Sequence, residues 1–158
     1  MASFIIPDDG FNVTDHGPDV VPPLILQAEV QTLYIEFLKM DTDGRTAEEI
    51  ASLKNHAILK ADFVRDVDIY SGARINMVVN FDVLSETSAG GNSHKLGMLL
   101  VRPIKYRASS FSSACTAVLP LKQRVTFEHL IRAITDNNLQ YFYFCTVDEK
   151  YYGCRDFV

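Results

Sequence analysis

The sequence predicts an α+β domain: an N-terminal helical hairpin, then a mainly antiparallel sheet with one further short helix. Three observations predict this fold class. Residues 23–62 carry apolar side chains at helical spacing, and residues 75–83 carry an apolar side chain at every second position without interruption. Residues 125–157 pass from an amphipathic helix into two aromatic strands. The expected order is two helices, three strands, one helix and two strands.

The chain is expected to form a single domain after a short lead-in. Residues 1–22 contain three of the six prolines, two glycines and four aspartates without sustained periodicity, which predicts a flexible or loosely docked segment. Residues 23–158 are expected to form the α+β domain, since a chain of 158 residues is of single-domain size. The apolar content of 47% and charged content of 22% are ordinary for a globular protein.

The predicted helical hairpin begins at Pro23, a residue that suits the first turn of a helix. A turn over residues 41–44 ends the first helix, and Thr46 and Glu49 have the spacing of a capping box for the second. The second helix is expected to end near Asp62. The apolar stripe of the first helix consists of Leu26, Val30, Leu33, Tyr34, Phe37 and Leu38.

The β part is expected to begin at Gly72. Residues 75–83 form the clearest strand, with Ile75, Met77, Val79, Phe81 and Val83 on one face. After a polar loop at residues 85–95, residues 96–102 read as the return strand and residues 113–119 as a further one.

The C-terminal segment carries the strongest local signals. Thr126 occupies the N-cap position of a helix whose apolar face is Phe127, Leu130, Ile131 and Ile134. Residues 139–147 are apolar or aromatic at almost every position, which is typical of a strand buried on both faces. A turn at Asp148-Glu149 leads to a second aromatic strand. Such a strand must be covered by this chain or by another, so it indicates an interaction surface.

Charge is distributed unevenly along the chain. Residues 1–71 hold 13 acidic and 5 basic side chains, whereas residues 72–158 hold 7 acidic and 10 basic ones. The densest basic run gives the candidate nucleic-acid contacts Lys95, Arg102, Lys105 and Arg107, with Tyr106 among them. The alternative is a solvated strand end that faces the acidic half. The basic excess is too small to predict strong independent nucleic-acid binding.

No motif predicts catalysis, a metal or a cofactor. The histidines stand singly at His16, His56, His94 and His129, and no paired cysteine motif occurs. The glycine pair at residues 90–91 fits no phosphate-binding pattern. The acidic turn at residues 41–44 lacks the first ligand and the terminal glutamate of a calcium loop.

The cysteines do not predict an enzyme either. Cys115, Cys145 and Cys154 lie in apolar, strand-like segments, where buried and therefore unreactive thiols are expected. An enzyme that uses His94 with a cysteine or a tyrosine is the minor alternative. The sequence thus predicts a protein without catalytic residues, metal or cofactor.

The C-terminal third resembles the C-terminal half of the nuclease fold of tRNA-splicing endonuclease subunits. In that family a short helix precedes a hydrophobic strand, a tight acidic turn, a Tyr-Tyr strand and a glycine. Here those places are held by residues 139–147, Asp148-Glu149, Tyr151-Tyr152 and Gly153. The segment Val118-Leu119-Pro120 is similar to the small non-catalytic subunit of the fifteen-kilodalton class.

The resemblance implies a structural subunit without nuclease activity. Catalytic members of the family use a Tyr/His/Lys trio. Tyr70 matches the tyrosine region, but residues 74–76 contain no histidine, and residues 136–138 are Asp-Asn-Asn where the lysine would fall. Without these residues, no base is present to deprotonate the attacking ribose 2′-hydroxyl and no cation to stabilise the transition state.

Two functional hypotheses follow. In the first, the protein is a non-catalytic subunit of a tRNA-processing endonuclease complex that assembles through its C-terminal hairpin, with Tyr141, Tyr143, Tyr151, Tyr152 and Phe157 at the interface. The alternative is a small α+β binding or host-interaction protein, for example a viral one, that forms a homo-oligomer or binds a protein partner.

The expected partner is therefore a protein or a second copy of the chain, not a membrane. No run approaches the roughly 18 apolar residues of a membrane span. The first ten residues lack the features of a secretory signal, so cytoplasmic or nuclear residence is expected.

Overall fold

The computed structural model of the protein describes residues 4–39, 43–48, 56–87, 91, 93–107, 113–147, 150–153 and 157–158. Strands dominate these residues. The strands are β1 (Phe11–Asn12), β2 (Val30–Leu38), β3 (Ala57–Val67), β4 (Tyr70–Val79), β5 (Glu86–Thr87), β6 (Ser93–Ile104), β7 (Ser113–Leu119), β8 (Tyr143–Val147) and β9 (Lys150–Tyr152). The helices are α1 (Val13–His16), α2 (Pro23–Leu26) and α3 (Phe127–Thr135), with a short 3₁₀ turn at Pro18–Val20.

The strands form one antiparallel sheet in the order β7-β2-β3-β4-β6-β8-β9, and both β1 and β5 pair with β6. The long strand β6 pairs with β4 over residues 97–104 and with β8 over residues 93–96. Within the described part of the chain, β7 and β9 are the two ends of this order.

One face of the sheet, called here the core face, carries the hydrophobic core. Its buried strand residues are Ala61 and Phe63 of β3, Ala73, Ile75 and Met77 of β4, and Leu99 and Val101 of β6. Helix α3 covers them with Phe127, Ile131 and Ile134. The rings of Phe63 and Phe127 meet edge to face with centroids 5.7 Å apart. The opposite face is called the second face below.

The predicted N-terminal helical hairpin is wrong. Only α2, four residues long, forms at Pro23, and residues 30–38 are β2. Ala57 and Ile58, expected on the second helix, are buried in β3. Residues 49–55, the middle of that predicted helix, lie outside the described residues. The fold is therefore sheet-dominated and not an α+β domain with a helical hairpin.

The physical reason is that residues 30–38 fit two periodicities at once. Apolar or aromatic side chains occur at so many positions that both a helical stripe and a strand can be read from them. Their β-branched and aromatic residues suit a strand. Pairing then decides between the two, because β2 lies between β3 and β7: Leu33 pairs with Ala61 on one side and Leu119 on the other.

The N-terminal segment is also packed more closely than its sequence predicts. In place of a flexible lead-in, residues 11–21 contribute Phe11, Val13 and Val21 to the buried core. The hydroxyl of Thr14 accepts a hydrogen bond from the Leu99 amide (2.9 Å) and donates to the carbonyl of Gln140 (3.2 Å). This segment therefore ties the central strand β6 to the chain just before β8.

The C-terminal helix is confirmed. Helix α3 begins after Thr126, whose backbone amide donates to Nδ1 of His129 at 3.1 Å and so completes a capping box. The predicted strands at residues 96–102 and 113–119 are confirmed within β6 and β7. The strand expected over residues 75–83 ends at Val79, and Phe81 beyond it is 71% exposed.

The C-terminal hairpin is confirmed as β8 and β9, with Cys145 opposite Tyr152. Its first strand is shorter than predicted, since β8 begins at Tyr143 and residues 139–142 precede it. It is not buried on both faces: Phe144 is buried, whereas Tyr143 is 47% exposed. The predicted turn at residues 148–149 lies outside the described residues.

The close approach of β3 and β4 predicts the effect of one substitution. A Cβ at Gly72 would lie against the carbonyl oxygen of Ala61, far inside van der Waals distance, and 3.3 Å from Cα of Asp62. We expect Gly72→Ala to lower the free energy of unfolding by about 1–3 kcal/mol, because the neighbouring backbone must shift. Urea unfolding followed by circular dichroism measures this.

The matched control adds apolar atoms at an exposed site. Ala117→Val on β7 should change the free energy of unfolding by less than about 0.5 kcal/mol. A Gly72→Ala variant as stable as the wild type would contradict the register that places Gly72 opposite Asp62.

Candidate functional site

The aromatic residues of the predicted interface divide into outward and inward sets. Tyr141 and Tyr143 are 52% and 47% exposed, and Leu139 beside them is 53% exposed. These three residues are called the hairpin patch. Tyr152 and Phe157 are half-buried, and the side chain of Tyr151 lies outside the described residues.

Inward-facing phenylalanines anchor the hairpin patch. Phe144 is buried, and Phe142 packs edge to face against both Phe144 (centroids 5.3 Å apart) and Phe157 (6.0 Å). The amide of Gly97 donates to the carbonyl of Phe142 at 2.6 Å. A Cβ at Gly153 would lie 2.9 Å from the Phe142 ring, so a glycine is needed there. The patch is thus presented on a firmly packed support.

The second face of the sheet continues from the hairpin patch along β6. Side chains alternate along a strand, so Leu96, Met98, Leu100 and Arg102 share this face. Leu96 lies opposite Tyr143 of β8, and Met98 lies opposite Val78 of β4. Along this row the surface changes from apolar at Leu96 to cationic at Arg102.

On the second face, three cations lie side by side on the neighbouring strands β3, β4 and β6. Lys60 pairs with Arg74, and Arg74 pairs with Arg102 in the strand register. Like charges directly opposite each other on neighbouring strands repel, so this row requires compensating acids.

Two acids of the described residues compensate the row. Nζ of Lys60 lies 2.6 Å from Oδ1 of Asp62, and both side chains are almost fully buried. Nη2 of Arg74 lies 3.6 Å from Oε2 of the fully buried Glu36. Lys60 and Arg74 therefore each have an acidic partner, and Arg102 forms no side-chain hydrogen bond or ion pair within the described part of the chain.

Two tyrosine rings enclose the buried lysine. Nζ of Lys60 lies 5.1 Å from the ring centroid of Tyr34 and 5.3 Å from that of Tyr106. The Tyr34 hydroxyl donates to Oδ2 of Asp62 at 3.3 Å. Burial raises the pKa of Tyr34 above its usual value, with a further contribution from the neighbouring Asp62 carboxylate. The phenol therefore stays neutral and holds Asp62 in place.

Two open cavities meet at Arg74 and Arg102. One, of about 430 Å³, also has Ile6, Ile104 and Lys105 in its walls. The other, of about 400 Å³, also has Val78, Met98 and Leu100 in its walls. Together they form a groove on the second face, called the arginine groove, with apolar residues on either side of the two arginines and Lys105 in one wall.

Of the basic residues predicted to contact nucleic acid, Arg102 and Lys105 line the same cavity, whereas Lys95 and Arg107 are not in its walls. Lys95 and Lys105 are ten residues apart on and beyond β6, or about 33 Å along an extended chain. Lys95 lies over the Phe81 ring, and Lys105 lies over the Tyr70 ring.

The remaining two candidates differ in their partners. Arg107 is ion-paired with Asp66 and donates to the carbonyl of Phe63, whereas Arg102 lies in the arginine groove. Nucleic-acid contact through these four residues stays a prediction.

The other residues considered for metal binding or catalysis are dispersed over the described part of the chain. No group of three or more metal-ligating side chains occurs among them. Nε2 of His56 lies 2.6 Å from Oδ1 of Asn76, His129 belongs to the helix cap, and His94 lies opposite Cys145 in the β6–β8 register. Cys115 is exposed, so the prediction that it is a buried thiol is wrong: β7 is an outer strand.

Sequence reasoning missed the buried charged residues Glu36, Lys60 and Asp62 and the partly exposed Arg74 beside them. A signal for them exists in β3, where Lys60 and Asp62 alternate with Leu59, Ala61 and Phe63. Charges at every second position of an apolar run indicate a strand with one polar face. That signal is lost when residues 46–62 are assigned to a helix.

Comparisons with protein-family models, with curated proteins and with solved structures find no match to this chain. Within the residues that the structure describes, no helix has the length and apolar character to cross a membrane.

Proposed function

We propose that this protein is a non-catalytic interaction protein that joins another protein chain through its C-terminal hairpin. The observation that carries this proposal is the hairpin patch: Tyr143 on β8 and Leu139 and Tyr141 just before it are about half exposed, and the neighbouring phenylalanines are packed inward. Aromatic residues on a rigid support are typical anchors of protein–protein interfaces, because they bury a large area with little loss of side-chain freedom.

The position of the hairpin in the sheet supports the same proposal. Within the described residues β9 pairs with β8 and is the end of the strand order. An outer strand presents backbone amide and carbonyl groups to which a partner strand can bind. Backbone pairing at β9 and burial of the tyrosines would then act together.

The kind of assembly stays a prediction. The resemblance to tRNA-splicing endonuclease subunits concerns the C-terminal third, and a role in tRNA processing depends on it alone. The alternative, a small binding protein that pairs with its own copy or with another protein, needs only the same surface.

Photo-crosslinking tests the proposal in cells of the native source. A photoreactive phenylalanine analogue in place of Tyr141 should form a covalent adduct with another protein chain, because this site lies in the proposed interface. The Tyr143→Ser substitution in the same chain should reduce the adduct yield about tenfold, the loss expected when an interface anchor is removed. Quantitative mass spectrometry measures the adducts.

The matched control places the same analogue at Val118, which is 62% exposed on β7 at the other end of the strand order. Adducts from position 141 and none from position 118 would support the proposal. Equal yields from both positions, or no adduct from position 141, would contradict it. Light scattering on the purified protein separates self-assembly from binding of a different chain.

A further inference from the structure

We propose that the arginine groove binds an extended peptide segment of a partner protein, in which one carboxylate side chain is flanked by apolar side chains. This site goes beyond the proposed function. Arg102 is six residues from Leu96, the β6 residue opposite Tyr143, which places the cation proposed to bind the carboxylate about 20 Å along the strand from the hairpin patch.

The first support is the unbalanced row of cations. Three of them, Lys60, Arg74 and Arg102, lie on adjacent strands, and Asp62 and Glu36 compensate the first two. Within the row itself the exposed Arg102 is the cation without an ion-pair partner among the described residues, and the carboxylates of Asp8 and Asp9 lie only in the outer walls of the two cavities. A carboxylate bound there would relieve the repulsion between Arg74 and Arg102.

The second support is that neighbouring side chains restrict the orientation of Arg74, while its Nε and Nη2 form no hydrogen bond within the described part of the chain. Its guanidinium contacts Glu36 and lies 5.8 Å from the ring centroid of Tyr106. About a quarter of the side chain remains exposed, and Arg74 is part of the walls of both cavities. A donor that is already ordered loses little entropy when a ligand binds.

The third support is the order in which apolar and charged residues follow one another along the groove. On one side of the arginines the apolar residues of the wall are Ile6, Pro7 and Ile104. On the other side they are Val78, Met98 and Leu100. An extended segment rises about 3.3 Å per residue, so six residues span about 20 Å. An apolar–acidic–apolar segment matches this arrangement.

The charges at the borders of the groove favour a peptide over a nucleic acid. Asp8 lines one cavity and Asp9 the other, and both side chains are exposed. Their carboxylates would repel the repeated charges of a phosphate backbone. A single carboxylate at the two arginines avoids most of this repulsion.

The test is a binding measurement with a defined probe, the dye-labelled peptide acetyl-Ser-Val-Leu-Glu-Ile-Val-Ser-amide. Fluorescence anisotropy should show binding to the full chain, and amide chemical shifts should change in residues 72–76, 98–102 and 104. The Arg102→Gln substitution should raise the Kd about tenfold or more, because a charge-assisted hydrogen bond is lost. The same peptide with Gln in place of Glu should bind the wild-type chain about as weakly as the Glu peptide binds the Arg102→Gln variant.

Two controls separate this result from a general charge effect or a folding defect. Lys122→Gln removes an exposed cation elsewhere and should leave the Kd within about twofold. Arg102→Gln should melt at or slightly above the wild-type temperature, since it removes a like-charge pair.

Three outcomes would overturn the proposal. These are equal Kd values for the Glu and Gln peptides, an unchanged Kd in Arg102→Gln, and no binding of the Glu peptide at about millimolar concentration. Tighter binding of a single-stranded oligoribonucleotide with the same dependence on Arg102 would replace the peptide with a nucleic acid as the ligand.

Discussion

The Lys60→Met substitution should lower the free energy of unfolding by about 3–5 kcal/mol, the range found when one member of a buried ion pair is removed. Lys60 is fully buried, and its ammonium lies 2.6 Å from the Asp62 carboxylate. Methionine fills a similar volume but leaves that carboxylate without the ammonium in a site with little water. Denaturant unfolding followed by circular dichroism measures the loss.

The double variant Lys60→Met/Asp62→Asn distinguishes charge from packing. Asparagine keeps an oxygen for the Tyr34 hydroxyl and removes the negative charge, so the double variant should be more stable than the sum of the single losses predicts. Arg124→Met is the control at an exposed pair, because the Arg124 side chain near Glu29 is 90% exposed. It should cost less than about 1 kcal/mol. Equal losses in Lys60→Met and Arg124→Met would show that the buried pair has no special role.

The Phe127→Ala substitution should also lower the free energy of unfolding by about 3–5 kcal/mol. Phe127 is the first residue of α3, is fully buried and packs edge to face against Phe63. Its removal leaves a cavity between the helix and the core face of the sheet. The same unfolding measurement applies, together with near-ultraviolet circular dichroism to follow the packing of α3.

Phe81→Ala is the matched control for this core variant. The same atoms are removed, but Phe81 is 71% exposed, and the ammonium of Lys95 is one of the groups that its ring contacts. The expected loss is below about 1 kcal/mol, the range of an exposed cation–π contact. If the two alanine variants lost equal stability, α3 would not be the cover of the core that the structure indicates.

The C-terminal part of the fold could be predicted in detail because its signals are local. Thr126 at the N-cap, the apolar face that includes Ile131 and the aromatic hairpin all depend on residues a few positions apart. Burial within the hairpin could not be predicted in the same way. Aromatic residues at 142, 143 and 144 look alike in the sequence, and packing against Gly97 and Gly153 decides which of them point inward.

The N-terminal half could not be assigned from the sequence because its decisive contacts are distant. Tyr34 pairs with Lys60, and Lys60 pairs with Arg74. These residues are so far apart along the chain that a local sequence pattern cannot predict their pairing. The arginine groove has the same origin. Arg74 and Arg102 lie 28 positions apart in the chain and become neighbours only when β4 pairs with β6.

Local chemistry alone therefore determined the capped helix α3, the strand at β4, the aromatic hairpin and the uneven distribution of charge. Tertiary structure decided that residues 30–38 are a strand, which tyrosines are exposed, and which acid lies beside which cation. The reason is physical: a helix forms its hydrogen bonds with residues four positions away, whereas a strand obtains them from a partner strand that is often far along the chain. A run such as Val30–Leu38, which fits both periodicities, takes the structure of the partners that pair with it.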